Sequence, residues 1–123
     1  MTLNILIVIA VLCPTLSFAG TKIENLEAQY KQNISTEYGK KYYHSAIKYL
    51  FTNANFMKEC APPNGPLVDG FTFYISVSKS GKVKDVTVVP ENKAALCFKK
   101  HVSKKIFPKP KTEFIVKEKF IFY

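Results

Sequence analysis

FTFYISVSKSGKVKDVTVVP, residues 71–90, decides the fold. Its first residues alternate: Phe71, Phe73, Ile75 and Val77 are apolar, with Thr72, Tyr74, Ser76 and Ser78 set between them. A period of two marks a half-buried strand, because successive side chains point to opposite faces. Lys79-Ser80-Gly81-Lys82 is a tight turn in which Gly81 is free to take a positive φ. Val83 to Val89 is rich in β-branched residues and returns as a second strand, until Pro90 ends it by removing a ladder donor. The stretch is therefore a β-hairpin.

Before the hairpin, Pro62, Pro63, Gly65, Pro66 and Gly70 make Ala61–Gly70 a connecting loop. Earlier still the chain has helical spacing. Ile23, Leu26, Tyr30 and Ile34 form one loosely periodic stretch, with Gly39 a candidate interruption. Tyr43, Ile47, Leu50, Phe51 and Ala54 then form an amphipathic stripe. After the hairpin, Glu91–Ile106 reads as another helix, with Ala95, Phe98, Val102 and Ile106 on one face and Lys99, Lys100, Lys104 and Lys105 crowding the other. Phe107-Pro108-Lys109-Pro110 stops it. A last strand places Phe114, Val116, Glu118, Phe120 and Phe122 on one face, and Ile115, Lys117, Lys119, Ile121 and Tyr123 on the other. The expected fold class is α+β: an N-terminal helix followed by ββαβ. Its three-stranded antiparallel sheet has the order second–first–third, with helices packed on one face.

Composition limits what such a domain can do. The chain has 123 residues and 47% hydrophobic content, enough for one core and one domain. Its net charge is +9, and all 18 cationic residues are lysine. Without arginine there is no bidentate grip on phosphate or guanine, so no nucleic-acid partner is expected. Acidic protein or a negatively charged envelope surface suits the lysines better, mainly by speeding encounter. No Gly-rich phosphate loop, Ser-His-Asp set or placed carboxylate pair is visible, so no enzyme, catalytic residue or cofactor is expected.

Met1–Ala19 has no charged side chain. It combines an apolar centre from Leu3 to Leu12 with Pro14 and the small residues Ser17 and Ala19. This is the layout of a secretory signal peptide cleaved before Gly20, leaving residues 20–123 as a single exported domain. Retention as an N-terminal anchor is the competing reading. A lipoprotein is disfavoured because Leu12 is too large to precede a lipidated Cys13. Cleavage removes Cys13 and leaves Cys60 and Cys97, an even pair that favours a disulfide in an oxidising compartment. That cross-link closes a long loop and contributes roughly 4 kcal/mol on the chain-entropy model. The rival is a metal site, since His101 follows Cys97 by one helical turn, but three candidate ligands and no CxxC weigh against it.

Several pieces together resemble the third, C-terminal domain of the envelope protein TolA. They are Ala46-Ile47 in a helix running to Phe51, Cys60 ahead of the first strand, and the turn Ser80-Gly81-Lys82-Val83. Pro90-Glu91-Asn92 follows, then Ala95-Leu96-Cys97, Ile106-Phe107-Pro108-Lys109-Pro110 and Phe120-Ile121-Phe122. The resemblance spans about residues 30–123, and its paired cysteines and Pro-x-Pro are its most specific parts. The hairpin alone equally resembles the wider TonB C-terminal-like fold. The Ala61–Gly70 loop is longer than that family's link, and its membrane helix and helical stalk are not in this sequence. What the resemblance implies is the binding half of that machine. That is a periplasmic Tol-Pal adaptor whose partners are TolB-like protein and, parasitically, bacteriocins or filamentous-phage coat proteins. An immunity or inhibitor protein directed at a toxin, and a basic envelope-surface binder, are the alternatives.

The strand order puts Thr112–Tyr123 at a sheet edge, where an extended peptide can add as a further strand. Glu113, Ile115, Lys117, Lys119 and Ile121 are the candidate contacts, with Lys117 and Lys119 facing outward. Val116→Pro is expected to abolish capture by deleting an edge donor. The plainer role for those lysines is to guard the edge against aggregation.

Overall fold

A computed structural model of the chain describes residues 18–52, 55–60 and 70–121. The expected leader up to Ser17, Ala54, most of the Ala61–Gly70 loop, Phe122 and Tyr123 lie outside the described residues. In chain order the elements are α1 (Phe18–Asn33), α2 (Glu37–Thr52), α3 (Asn55–Cys60), β1 (Phe71–Val77), β2 (Val83–Val89), α4 (Lys93–Val102) and β3 (Phe114–Phe120). The sheet is antiparallel in the order β2-β1-β3, and one disulfide joins Cys60 to Cys97. The α+β fold with that strand order is therefore the fold of this chain.

The core lies on the face of β1 that carries Phe71, Phe73, Ile75 and Val77. Val86, Val88, Phe114, Val116 and Phe120 join them from the flanking strands. Phe98 of α4 packs its ring 4.7 Å from Phe73 and 5.2 Å from Phe71. On α2 the buried line is Tyr42, Ala46 and Leu50: Leu50 belongs to the expected stripe, whereas Tyr42 and Ala46 lie one position before Tyr43 and Ile47, which with Phe51 are half-buried at its flank. The small Ala46, fully buried, lets the helix approach the sheet, while the larger Tyr43 is turned to the side.

Gly81 has φ +87° in the hairpin turn, and a Cβ there would lie 2.2 Å from the Phe107 carbonyl oxygen. Gly81 itself accepts from Phe107 N–H at 2.8 Å, which ties the segment after α4 to the turn. That contact is why α4 ends at Val102 and not at Ile106: Ile106 leaves the helix, bridges to Lys82 and is exposed. Asn92 caps the other end, its Oδ1 accepting from Ala95 N–H at 2.8 Å.

The helical N-terminal third divides at residues 34–36, and Gly39 is not the break. Thr36 Oγ1 accepts from Gly39 N–H at 2.9 Å and starts α2. Gly39 lies inside that helix because a Cβ would fall on the Asn33 carbonyl oxygen. This close approach folds α1 back across the sheet. Tyr74 and Ile115 are buried yet stand outside the main core, because they occupy the opposite face of the sheet, under α1. Helices thus cover both faces, and the second face is only partly covered: Val89 and Ile121, further along it, are exposed.

Candidate functional site

The strand expected to offer an open rim is enclosed by its own chain. α1 and α2 lie on either side of β3 and meet across its edge, with the rings of Tyr30 and Tyr43 5.9 Å apart at 62°. Ile115 N–H donates outward to Asn33 Oδ1 at 2.9 Å. The Tyr43 hydroxyl lies 2.9 Å from the Lys117 carbonyl oxygen and 2.7 Å from Glu118 Oε2, sharing its proton between them. Burial first, and then the Glu118 hydrogen bond, push the Tyr43 phenol well above its ordinary range, so it stays a donor. Lys119 N–H donates to Glu118 Oε1 at 3.2 Å.

The expected contact residues divide accordingly. Glu113 accepts from Lys84 Nζ at 3.1 Å, and Ile115 is buried. Lys117 turns under α1, where its ammonium pairs with Glu27 and sits 5.6 and 5.7 Å from the ring centroids of Tyr30 and Tyr74. Lys119 and Ile121 are exposed. Val116 belongs to the opposite parity from Ile115, so its N–H faces Ile75 of β1. Val116→Pro would break the ladder and leave the rim donors in place.

Glu27 is the centre of the α1 clamp. Its carboxylate accepts from Lys117 and, at 2.6 Å, from the Tyr74 hydroxyl. The Lys117 hydrogen bond, followed by that from Tyr74, holds the Glu27 carboxyl below its ordinary value. Burial, and then the bond to Glu27, push the Tyr74 phenol up to about 12. The sequence shows each of these residues but not their meeting, which depends on how sharply the chain turns at residues 34–36. Beside that turn lies a small open pocket of about 200 Å³ lined by Asn33, Thr36, Tyr38 and Phe114 among others. It is below the size range of ligand sites, roughly 300–1,000 Å³.

The other edge of the sheet is different. Outward groups at Ile115 and Lys117 mean that Phe71, Phe73, Ile75 and Val77 bond toward β3. Thr72, Tyr74 and Ser76 therefore bond toward Val89, Thr87 and Asp85 of β2. By the same alternation, Val86 and Val88 direct their N–H and C=O away from the sheet, and among the described residues none pairs with them. Lys84 is the extra residue of a bulge between the Ser76–Asp85 and Val77–Val83 pairs, and Pro90 closes the far end of the edge. The rim left unpaired by the described residues is short, buried on its core side, and marked by Lys82 at its start.

A third cluster lies between α3 and α4. Cys60, Cys97 and His101 bring their sulfur and nitrogen atoms within 4.8 Å of one another, the two sulfurs being covalently joined. Glu59 Oε2 is 3.0 Å from His101 Nε2. Among the described residues no helix is long and apolar enough to cross a membrane. No protein family, curated protein or solved structure matches the chain.

Proposed function

We propose that the protein is a non-enzymatic binding module of the periplasm, which takes an extended, acidic polypeptide segment as a fourth strand along β2. The observation that carries this reading is the contrast between the two rims. On β3 three outward main-chain groups, Ile115 N–H, Lys117 C=O and Lys119 N–H, are engaged by Asn33, Tyr43 and Glu118, whereas those of Val86 and Val88 meet no partner among the described residues. Lys82 marks the start of that rim, Lys84 being paired with Glu113 beside β3, and the chain as a whole carries +9. An acidic strand would be steered there and held by main-chain bonds.

The affinity is modest by construction. Each main-chain hydrogen bond is worth about 1 kcal/mol net, and two exposed residues offer few of them. A transient adaptor, exchanging partners, is the role such a rim suits. The motifs shared with the TolA third domain support an envelope adaptor of Tol-Pal type, with a TolB-like protein, a bacteriocin or a phage coat protein as the acidic strand donor.

The test uses the ¹⁵N-labelled chain with its disulfide intact and a short blocked peptide of alternating Glu and Val. Amide shifts centred on Val86 and Val88, weakened in the Lys82→Glu variant, are the expected result. Shifts scattered over lysines and erased by moderate salt would instead make it a basic surface binder. Shifts confined to β3 would overturn the choice of rim.

A further inference from the structure

We propose that reduction of the Cys60–Cys97 bond converts the α3–α4 junction into a binding site for a thiophilic divalent metal of the zinc class, with His101 as its third ligand. Cys97 and His101 are one turn apart on α4, so both side chains leave the same flank of the helix. Cys60 ends α3 and faces that flank, with its Cα 5.5 Å from that of Cys97. The sulfur and imidazole atoms already lie within 4.8 Å of one another. A tetrahedral zinc with Zn–S near 2.3 Å needs its sulfurs about 3.8 Å apart. Once the covalent bond is gone, side-chain rotation supplies that separation without moving either helix.

The surroundings suit the chemistry. Two thiolates and an imidazole are a soft donor set that selects zinc over calcium or magnesium. Glu59 Oε2 lies 3.0 Å from His101 Nε2, so with Nδ1 as the metal-binding nitrogen the carboxylate would fix the orientation of the ring through the other one. Cys97 and His101 are only partly buried, so an ion can enter from solvent. Three protein ligands leave the fourth position to water. Disulfide and metal are mutually exclusive, yet each ties the same two helices together, so the fold keeps its cross-link in either state.

The redox step is balanced by a dithiol reductant. It transfers two electrons and two protons to the sulfurs and leaves as its own disulfide. Each Cys thiol then gives its proton to solvent as it binds the metal.

The experiment titrates cobalt(II) and zinc(II) into the full chain, oxidised and reduced. Reduced protein should take up one cobalt with a thiolate-to-metal charge-transfer band and the strong visible absorption of a four-coordinate ion. Zinc should displace it and raise the melting temperature, and oxidised protein should show neither effect. His101→Ala should weaken zinc binding at least tenfold. Glu59→Gln should weaken it about tenfold or more while leaving the band in place. If reduction unfolds the chain, zinc should restore the folded circular-dichroism spectrum. A folded reduced chain without the band, an unfolded one that zinc does not rescue, or a His101→Ala variant that binds like wild type would each overturn the proposal. None of these readouts depends on the β2 rim.

Discussion

Ile115→Ala asks whether α1 covers the second face of the sheet. Ile115 and Ile121 share strand parity, and on alternation alone both belong to the outward set of the last strand. In the structure Ile115 is 1% exposed, whereas Ile121 is 46% exposed. Truncating a fully buried isoleucine to alanine removes three methylene equivalents at about 0.8 kcal/mol each. A cavity term comes on top, because α1 and the sheet relax only in part, so the expected cost is about 3–4 kcal/mol within the range of such substitutions. At a urea m-value of roughly 1.5–2 kcal/mol/M, the unfolding midpoint falls by about 2 M. Ile121→Ala should cost under about 1 kcal/mol. The assay is equilibrium urea unfolding of oxidised protein, followed by far-ultraviolet circular dichroism and tyrosine fluorescence. Equal, small effects at both positions, with unchanged m, would mean that α1 does not lie where the structure puts it, and the enclosure of β3 would fail with it.

Four further predictions follow from the same contacts. Glu27 is held below its ordinary value near 4.5, so it contributes stability that is complete above that pH and lost as pH falls through the lowered value. Wild type should thus lose stability on acidification more steeply than Glu27→Gln, and parallel curves would count against the clamp. Tyr74 is raised from 10 to about 12, which favours the neutral phenol in the folded chain. Its contribution is complete below pH 10 and lost between 10 and 12, so the alkaline fall should be shallower in Tyr74→Phe, measured as a difference because Tyr42 titrates in the same window. The double variant Cys60→Ser/Cys97→Ser should lose roughly 4 kcal/mol in urea unfolding, from the loop that the cross-link closes. Gly81→Ala should lower the melting temperature by several degrees, since a Cβ would meet the Phe107 oxygen and the φ of +87° is unfavourable for alanine; an unchanged melting curve would contradict the turn geometry.

The elements with a clear period were legible from residues alone. The hairpin over residues 71–89 follows from strict alternation and from Gly81 at the turn, and the strand order follows from connection rules. The Cys60–Cys97 pairing was inferred from an even count after the leader, and in the structure the two sulfurs are joined. Boundaries set by contacts were less legible. Ile106 fits the helical period of α4, yet it leaves the helix because Phe107 N–H bonds to Gly81. Gly39 resembles a helix breaker, but it sits inside α2 to clear the Asn33 carbonyl.

The candidate rim shows the same division more sharply. Alternation places Lys117 and Ile115 on the face opposite the core, and that is where they are. Whether that face meets water depends on α1, whose apolar spacing is weak and whose hold on the sheet is largely polar: Glu27 to Tyr74 and Lys117, and Asn33 to Ile115. Hydrophobic periodicity registers burial along one element, so a polar clamp between residues far apart in the chain leaves no trace in it. The order of strands, their inward faces and the paired cysteines were determined by local pattern and connectivity. Which edge the chain's own residues engage was decided by the turn at residues 34–36, because only the folded chain brings Asn33 and Tyr43 to the rim of β3, while among the described residues none pairs with Val86 and Val88.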